Sequence, residues 1–125
     1  MSRTQLIPGP DHPITVEPSA DSVTVTAGGT LVADTDKTLT LREAAYPPGA
    51  YVPLAAVDPK VLQRSDTESY CPFKGNASYF DVVTDEGVIK DAAWTYEEPY
   101  DAVAPIAGHL AFYPDRVDIA VNPAS

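Results

Sequence analysis

The chain has 125 residues, enough for one domain, and a domain of that size buries about two thirds of its unfolded surface. Eight basic residues against eighteen acidic ones give a formal net charge of −10, which excludes the basic footprint of a nucleic-acid binder and disfavours anionic membrane surfaces. A hydrophobic content of 44% supports a real core, while thirteen prolines scattered along the chain punctuate short strands and argue against long helices.

In chain order, residues 1–13 hold three prolines and a glycine and read as an irregular arm, followed by a single domain over 14–121 and a tail at 122–125. Residues 14–17 alternate weakly. Ser22-Val23-Thr24-Val25-Thr26 alternates strictly, with valines on one face and threonines on the other. Ala27-Gly28-Gly29-Thr30 then supplies a turn, and Leu31-Val32-Ala33-Asp34 returns as the second arm of a hairpin. Thr38-Leu39-Thr40-Leu41 alternates again before the break at Tyr46-Pro47-Pro48-Gly49.

Asp58-Pro59 places an N-cap residue before a proline at the first helical position, so a short helical turn is expected there. Ser65-Asp66-Thr67 reads as polar and extended, and the β signal resumes at Tyr70. Residues 77–83 form one predicted strand, Asp85-Glu86-Gly87 a hairpin turn, and 88–96 the return strand. That pairing sets Tyr79 and Phe80 near Trp94 and Tyr96 across the ladder. After a break at Glu97-Glu98-Pro99, residues 105–108 close a second irregular or helical piece, and 110–113 with 117–121 read as a last hairpin around Pro114-Asp115. The fold class that follows is all-β and mainly antiparallel, a single compact domain with one or two short helical turns.

The single cysteine excludes an internal disulfide and a zinc site built on paired CxxC motifs. The two histidines, His12 and His109, are far apart with no ligand spacing, so neither a metal nor a cofactor is expected. No apolar run near the start is long enough for a signal peptide and none approaches a membrane span, which makes cytoplasm the expected compartment.

Chemistry concentrates in YCPFKGNASYF, residues 70–80. Cys71 is a candidate nucleophile if Lys74 or a backbone dipole activates it, although no histidine lies nearby in sequence; the alternative is a small buried hydrophobe. Lys74 beside Gly75 can meet a carboxylate or phosphate where the glycine lets backbone approach closely, or it can be a salt-bridged lysine. Tyr79, Trp94, Tyr96 and Tyr113 are either core packing or the walls of a slot for a flat ligand. Asp91 and Glu97-Glu98 are candidate acid or base groups whose use depends on convergence in space.

Two longer stretches, SDTESYCPFKGNASYFDV and DAAWTYEEPYDAVAPIAGHLAFYPDRVDI, carry a resemblance. Their CP-aromatic-KG-x-A-x-Y, AW-x-Y and AFYP-x-x-V blocks, in that order, resemble the family known as domain of unknown function 427, over about residues 14–121. The resemblance implies an all-β domain similar to the β-tent, or Mss4-like, architecture. The paired CxxC motifs that hold zinc in other β-tent families are missing here, so their zinc-dependent functions do not carry over. A nucleotidyltransferase activity sometimes attached to the family has no support in these residues.

The leading functional expectation is a small-molecule-binding domain. Its pocket would combine Tyr70, Cys71, Lys74, Gly75, Tyr79, Trp94 and Tyr96 around a planar or anionic ligand. An enzyme using Cys71 as nucleophile is the first alternative, and a protein-interaction domain using the acidic surface or exposed sheet edges is the second.

Overall fold

The computed structural model describes residues 4–123; the first three residues of the expected arm and the last two of the expected tail lie outside them. The strands are β1 (Ile14–Pro18), β2 (Ser22–Ala27), β3 (Thr30–Thr35), β4 (Leu39–Glu43), β5 (Gly49–Pro53), β6 (Leu62–Cys71), β7 (Gly75–Thr84), β8 (Gly87–Thr95), β9 (His109–Phe112) and β10 (Asp118–Asn122). Three 3₁₀ turns, Leu54–Ala56, Pro59–Val61 and Asp101–Ile106, supply the helical content of the described residues. The protein is thus a single compact, mostly antiparallel β domain. None of its helical segments is long and apolar enough to cross a membrane.

Two sheets form. A seven-stranded sheet runs β1-β4-β5-β9-β8-β7-β6, and a three-stranded sheet runs β10-β2-β3. The β2–β3 hairpin follows its sequence pattern: Val23 and Val25 are buried, the intervening threonines are not, and Gly28 and Gly29 turn the chain at φ of 55° and 82°. At Asp58 the side chain accepts a hydrogen bond from the Lys60 backbone N–H at 3.0 Å, capping the turn that Pro59 opens.

The core has two parts. Val23, Val25 and Val32 of the small sheet pack with Val52, Val82, Leu110 and Phe112 of the large one. A second cluster joins Leu41, Tyr51, Ala77, Tyr96 and Ala111 to Val103 and Ile106 of the Asp101–Ile106 turn. Neighbouring residues of β5 and β9 divide between the clusters, as alternation on a strand requires.

Two local expectations are corrected. Strand β6 begins at Leu62, well before Tyr70. It lies at the edge of the large sheet and pairs only with β7, so most of its side chains face solvent and no apolar alternation marks it.

The expected hairpin of 110–113 with 117–121 does not form. Both sides of β9 are already taken, by β5 and β8, and β10 pairs with β2 in the other sheet. The backbone N–H groups of Arg116 and Val117 both return to the Tyr113 carbonyl, at 3.0 and 3.1 Å. That tight turn over Pro114 swings the chain from one sheet to the other instead of reversing it in plane.

Candidate functional site

Strand β9 is only four residues long and joins two larger pieces of the large sheet. On one side it pairs with β5 through Val52↔Leu110 and Pro53↔His109, and on the other with β8 through Ala93↔Phe112 and Trp94↔Ala111. Ala111 is small, so the side chains flanking it, Tyr51 and Trp94, meet above it. Their rings are edge to face with centroids 6.4 Å apart, and the indole Nε1–H donates to the Tyr51 hydroxyl at 3.2 Å. Tyr113 completes the aromatic group, with its ring 4.4 Å from that of Trp94.

Beside this group lies a cleft of about 430 Å³. It is lined by Val23 and Val25 of β2, by Ile119 and Val121 of β10, and by Tyr51, Trp94 and Phe112 of the large sheet. The β4–β5 connection, Tyr46-Pro47-Pro48, lines it too, and Tyr46 is exposed. Of all the lining residues, only Glu43 and Lys74 carry charge.

Those two charges are placed by local structure. Residues Leu39, Leu41 and Glu43 alternate along β4 with Thr40 and Arg42, so the carboxylate falls on the same face as two leucines. Lys74 closes a tight turn in which its N–H donates to the Cys71 carbonyl at 3.1 Å and Pro72 fixes the first corner. Its own carbonyl accepts from Tyr100 N–H at 3.0 Å. Gly75 follows at φ of 112°, where a Cβ would sit 3.4 Å from the Glu98 carbonyl oxygen. The CPFKG run is therefore first of all a turn that holds Lys74 in one place.

Glu43 is shared. Lys74 Nζ donates to its Oε1 at 2.6 Å, and His12 Nε2 sits 2.8 Å from Oε2. The His12 ring stacks on Phe73 with centroids 4.1 Å apart and planes within 6°. Burial raises the affinity of Glu43 for a proton, but Lys74 and His12 outweigh it and hold the carboxyl below its ordinary 4.5. Burial pulls the Lys74 ammonium down, and the hydrogen bond to Glu43, together with the charges of Tyr51, Glu43 and Cys71, more than compensates, holding it above 10.5. Lys74 is a cationic donor to Glu43. Burial pushes the Tyr51 and Tyr96 hydroxyls up, and Tyr113 is pushed up to about 12 by burial and by hydrogen bonding with Tyr79.

The seven candidate residues do not share one cavity lining. Lys74 and Trp94 line the cleft. Tyr96 is buried in the second core cluster, and the Lys74 ammonium stands 5.7 Å from its ring centroid. Cys71 is half-buried and packs against that same cluster. Tyr79 lies opposite Trp94 on the ladder, but its hydroxyl bonds to Ser69 at 2.9 Å. The Tyr70 hydroxyl meets that of Tyr100 at 2.7 Å and also donates to the Thr4 carbonyl. Gly75 borders a separate, polar groove with Arg64, Asn76, Glu97, Glu98 and Tyr100.

Glu43, Tyr51 and His12 were not among the candidates. Glu43 alone left a signal, an acid on the apolar face of an alternating strand.

Two of the three candidate acids, Asp91 and Glu97, have structural partners. Asp91, at φ of 50°, interrupts the β7–β8 register and accepts from Ser65 Oγ at 2.6 Å and Thr67 Oγ1 at 2.7 Å. Those two bonds lower its pKa below the ordinary 3.8. Its N–H donates to the buried Asp81 at 2.9 Å, and Lys90 does the same from the surface at 2.9 Å. Glu97 pairs with Arg64. Among the described residues, no three His, Cys, Asp or Glu side chains gather as a metal-ligand set.

No curated protein matches the chain. The sequence profile of the family described as a domain of unknown function (DUF427) matches residues 15–123, nearly the whole chain, and the protein belongs to that family.

Proposed function

We propose that this is a small-molecule-binding domain whose ligand lies in the cleft between the two sheets, with a flat apolar body against Trp94 and a polar end at Lys74 and Glu43. The observation that carries the reading is the cleft itself, about 430 Å³ with apolar walls and one ion pair. Ligand sites of this kind combine apolar surface with a few fixed polar groups, and the volume lies in their usual range of roughly 300–1,000 Å³. Cys71 stands outside the lining, which favours binding over a thiol nucleophile acting in this cleft. A net charge of −10 argues against a nucleic-acid ligand, and the lone free cysteine fits a reducing compartment such as the cytoplasm.

Trp94 is the sole tryptophan, so its emission reports on the cleft directly. Titration with N-phenyl-1-naphthylamine, a flat neutral probe, is expected to quench that emission saturably and raise the melting temperature. A Val121→Glu substitution, which puts a charge on an exposed part of the apolar lining, is expected to remove both effects in a folded protein. Absence of a saturable change in the wild-type protein overturns the reading.

A further inference from the structure

We propose that the ligand of this cleft carries a single negative charge on its apolar body and is bound together with one proton taken up by His12. The inference rests on the cleft being a ligand site and concerns the chemistry of its polar end.

Lys74 is the cation of the lining, and it is already engaged. With a neutral imidazole, the charges of Lys74 and Glu43 cancel, and an arriving anion gains the ammonium only by also facing the carboxylate. Both charged side chains are well sheltered, at 12% and 14% exposure, so solvent does little to weaken that repulsion. In a chain of net charge −10, the remaining field does not attract an anion either.

His12 changes this balance. Glu43 is held ionised and a carboxylate only accepts, so His12 Nε2 is the N–H that donates to Oε2, and a further proton goes to Nδ1. Imidazole is the side chain whose charge changes between about pH 5 and 8. With that proton on, the cluster of His12, Glu43 and Lys74 carries one net positive charge. Glu43 then has two cationic donors for one negative charge, and Lys74 can turn an N–H to the ligand while His12 keeps the carboxylate.

The imidazole is built to stay in place during that exchange. It is stacked on Phe73, and the paired backbone bonds between Gly9 and His12, at 3.0 and 3.3 Å, fix the loop that carries it. The neighbouring titratable groups are Tyr46, edge-on to the imidazole at 6.5 Å, and Tyr51, Cys71 and Tyr96, which face Lys74. Asp11 and Arg42 are the exposed chain neighbours of His12 and Glu43.

Two probes separate this inference from the reading beneath it. 8-Anilino-1-naphthalenesulfonate is an aromatic monoanion whose charge is constant over the working range, and N-phenyl-1-naphthylamine is the same ring system without the sulfonate. Affinity for the sulfonate is expected to rise about tenfold from about pH 8 to about pH 6, while affinity for the neutral probe stays constant. His12→Gln is expected to flatten the sulfonate profile. Calorimetry of the wild-type protein in two buffers of different ionisation enthalpy is expected to show net proton uptake with the sulfonate alone, a result that needs no variant to fold. A flat sulfonate profile, a pH dependence that survives in His12→Gln, or zero proton uptake overturns the inference. Failure of both probes to bind at any pH overturns the ligand site itself.

Discussion

The Trp94 indole N–H donates to the Tyr51 hydroxyl at 3.2 Å across a strand only four residues long. Tyr51 is 2% exposed, so this bond ties β5 to β8 inside the protein where β9 supplies few backbone contacts. Tyr51→Phe keeps the ring and removes the acceptor, leaving the indole N–H without its partner. The expected loss is about 1 kcal/mol in urea denaturation followed by Trp94 emission.

Asp81 is 1% exposed and accepts from both Lys90 Nζ and the Asp91 backbone N–H. Asp81→Ala leaves that N–H without a partner at the bulge where the β7–β8 register shifts. Removal is expected to destabilise the domain by about 2 to 3 kcal/mol. Lys90→Met is expected to have a much smaller effect, since the Lys90 side chain is 67% exposed. Chemical denaturation of the two variants side by side checks the order.

Gly75→Ala forces a side chain onto a residue at φ of 112°, with its Cβ 3.4 Å from the Glu98 carbonyl oxygen. The expected cost is about 1 to 3 kcal/mol, read as a lowered melting temperature. Gly29→Ala, at φ of 82° with nothing within 4 Å of a Cβ, carries backbone strain without the close approach and is expected to cost less.

The Glu43–Lys74 pair gives stability a defined pH window. Glu43 titrates lower in the fold than in the unfolded chain, so its contribution is complete above its ordinary 4.5 and is lost as pH falls through the lower folded value. Lys74 titrates higher in the fold, so its contribution is complete below 10.5 and is lost as pH rises through the higher folded value. The contribution of this pair to the melting temperature is therefore expected to hold a plateau between those limits. Glu43→Gln is expected to lower the plateau and soften both shoulders. A variant curve parallel to the wild type at both ends contradicts the assignment.

Strand character was legible where an alternating run has one buried face; β5, in which the adjacent Tyr51 and Val52 are both buried, shows no alternation and was not expected. The Val23/Val25 alternation, the Gly28-Gly29 turn, the Asp58-Pro59 cap and the Tyr79↔Trp94 pairing all appear as the residues imply. Strand β6 was hidden because an edge strand needs no apolar pattern. Residues 110–113 and 117–121 read as a hairpin because both are apolar and close in sequence, and nothing local records that β5 and β8 already flank β9.

For the site, Lys74 and Trp94 stood out as a rare cation and the sole indole. Tyr51 and His12 did not, since their places depend on which strands meet and on how the arm folds back onto Phe73. Tyr70, Gly75 and Tyr79 share a motif with Lys74 but have other partners: the Tyr70 hydroxyl meets Tyr100, Gly75 borders the polar groove, and the Tyr79 hydroxyl meets Ser69.

The wall formed by Ile119 and Val121 has a consequence for the order of folding. Strand β10 pairs with β2 across the seven strands, β3 to β9, that lie between them in sequence, so the small sheet is closed by a contact of long sequence separation. A nascent chain can make the β2–β3 hairpin early, but the cleft has only part of its wall until β10 leaves the ribosome. Completion of the cleft during synthesis should therefore be abrupt, appearing with β10 and not growing with chain length.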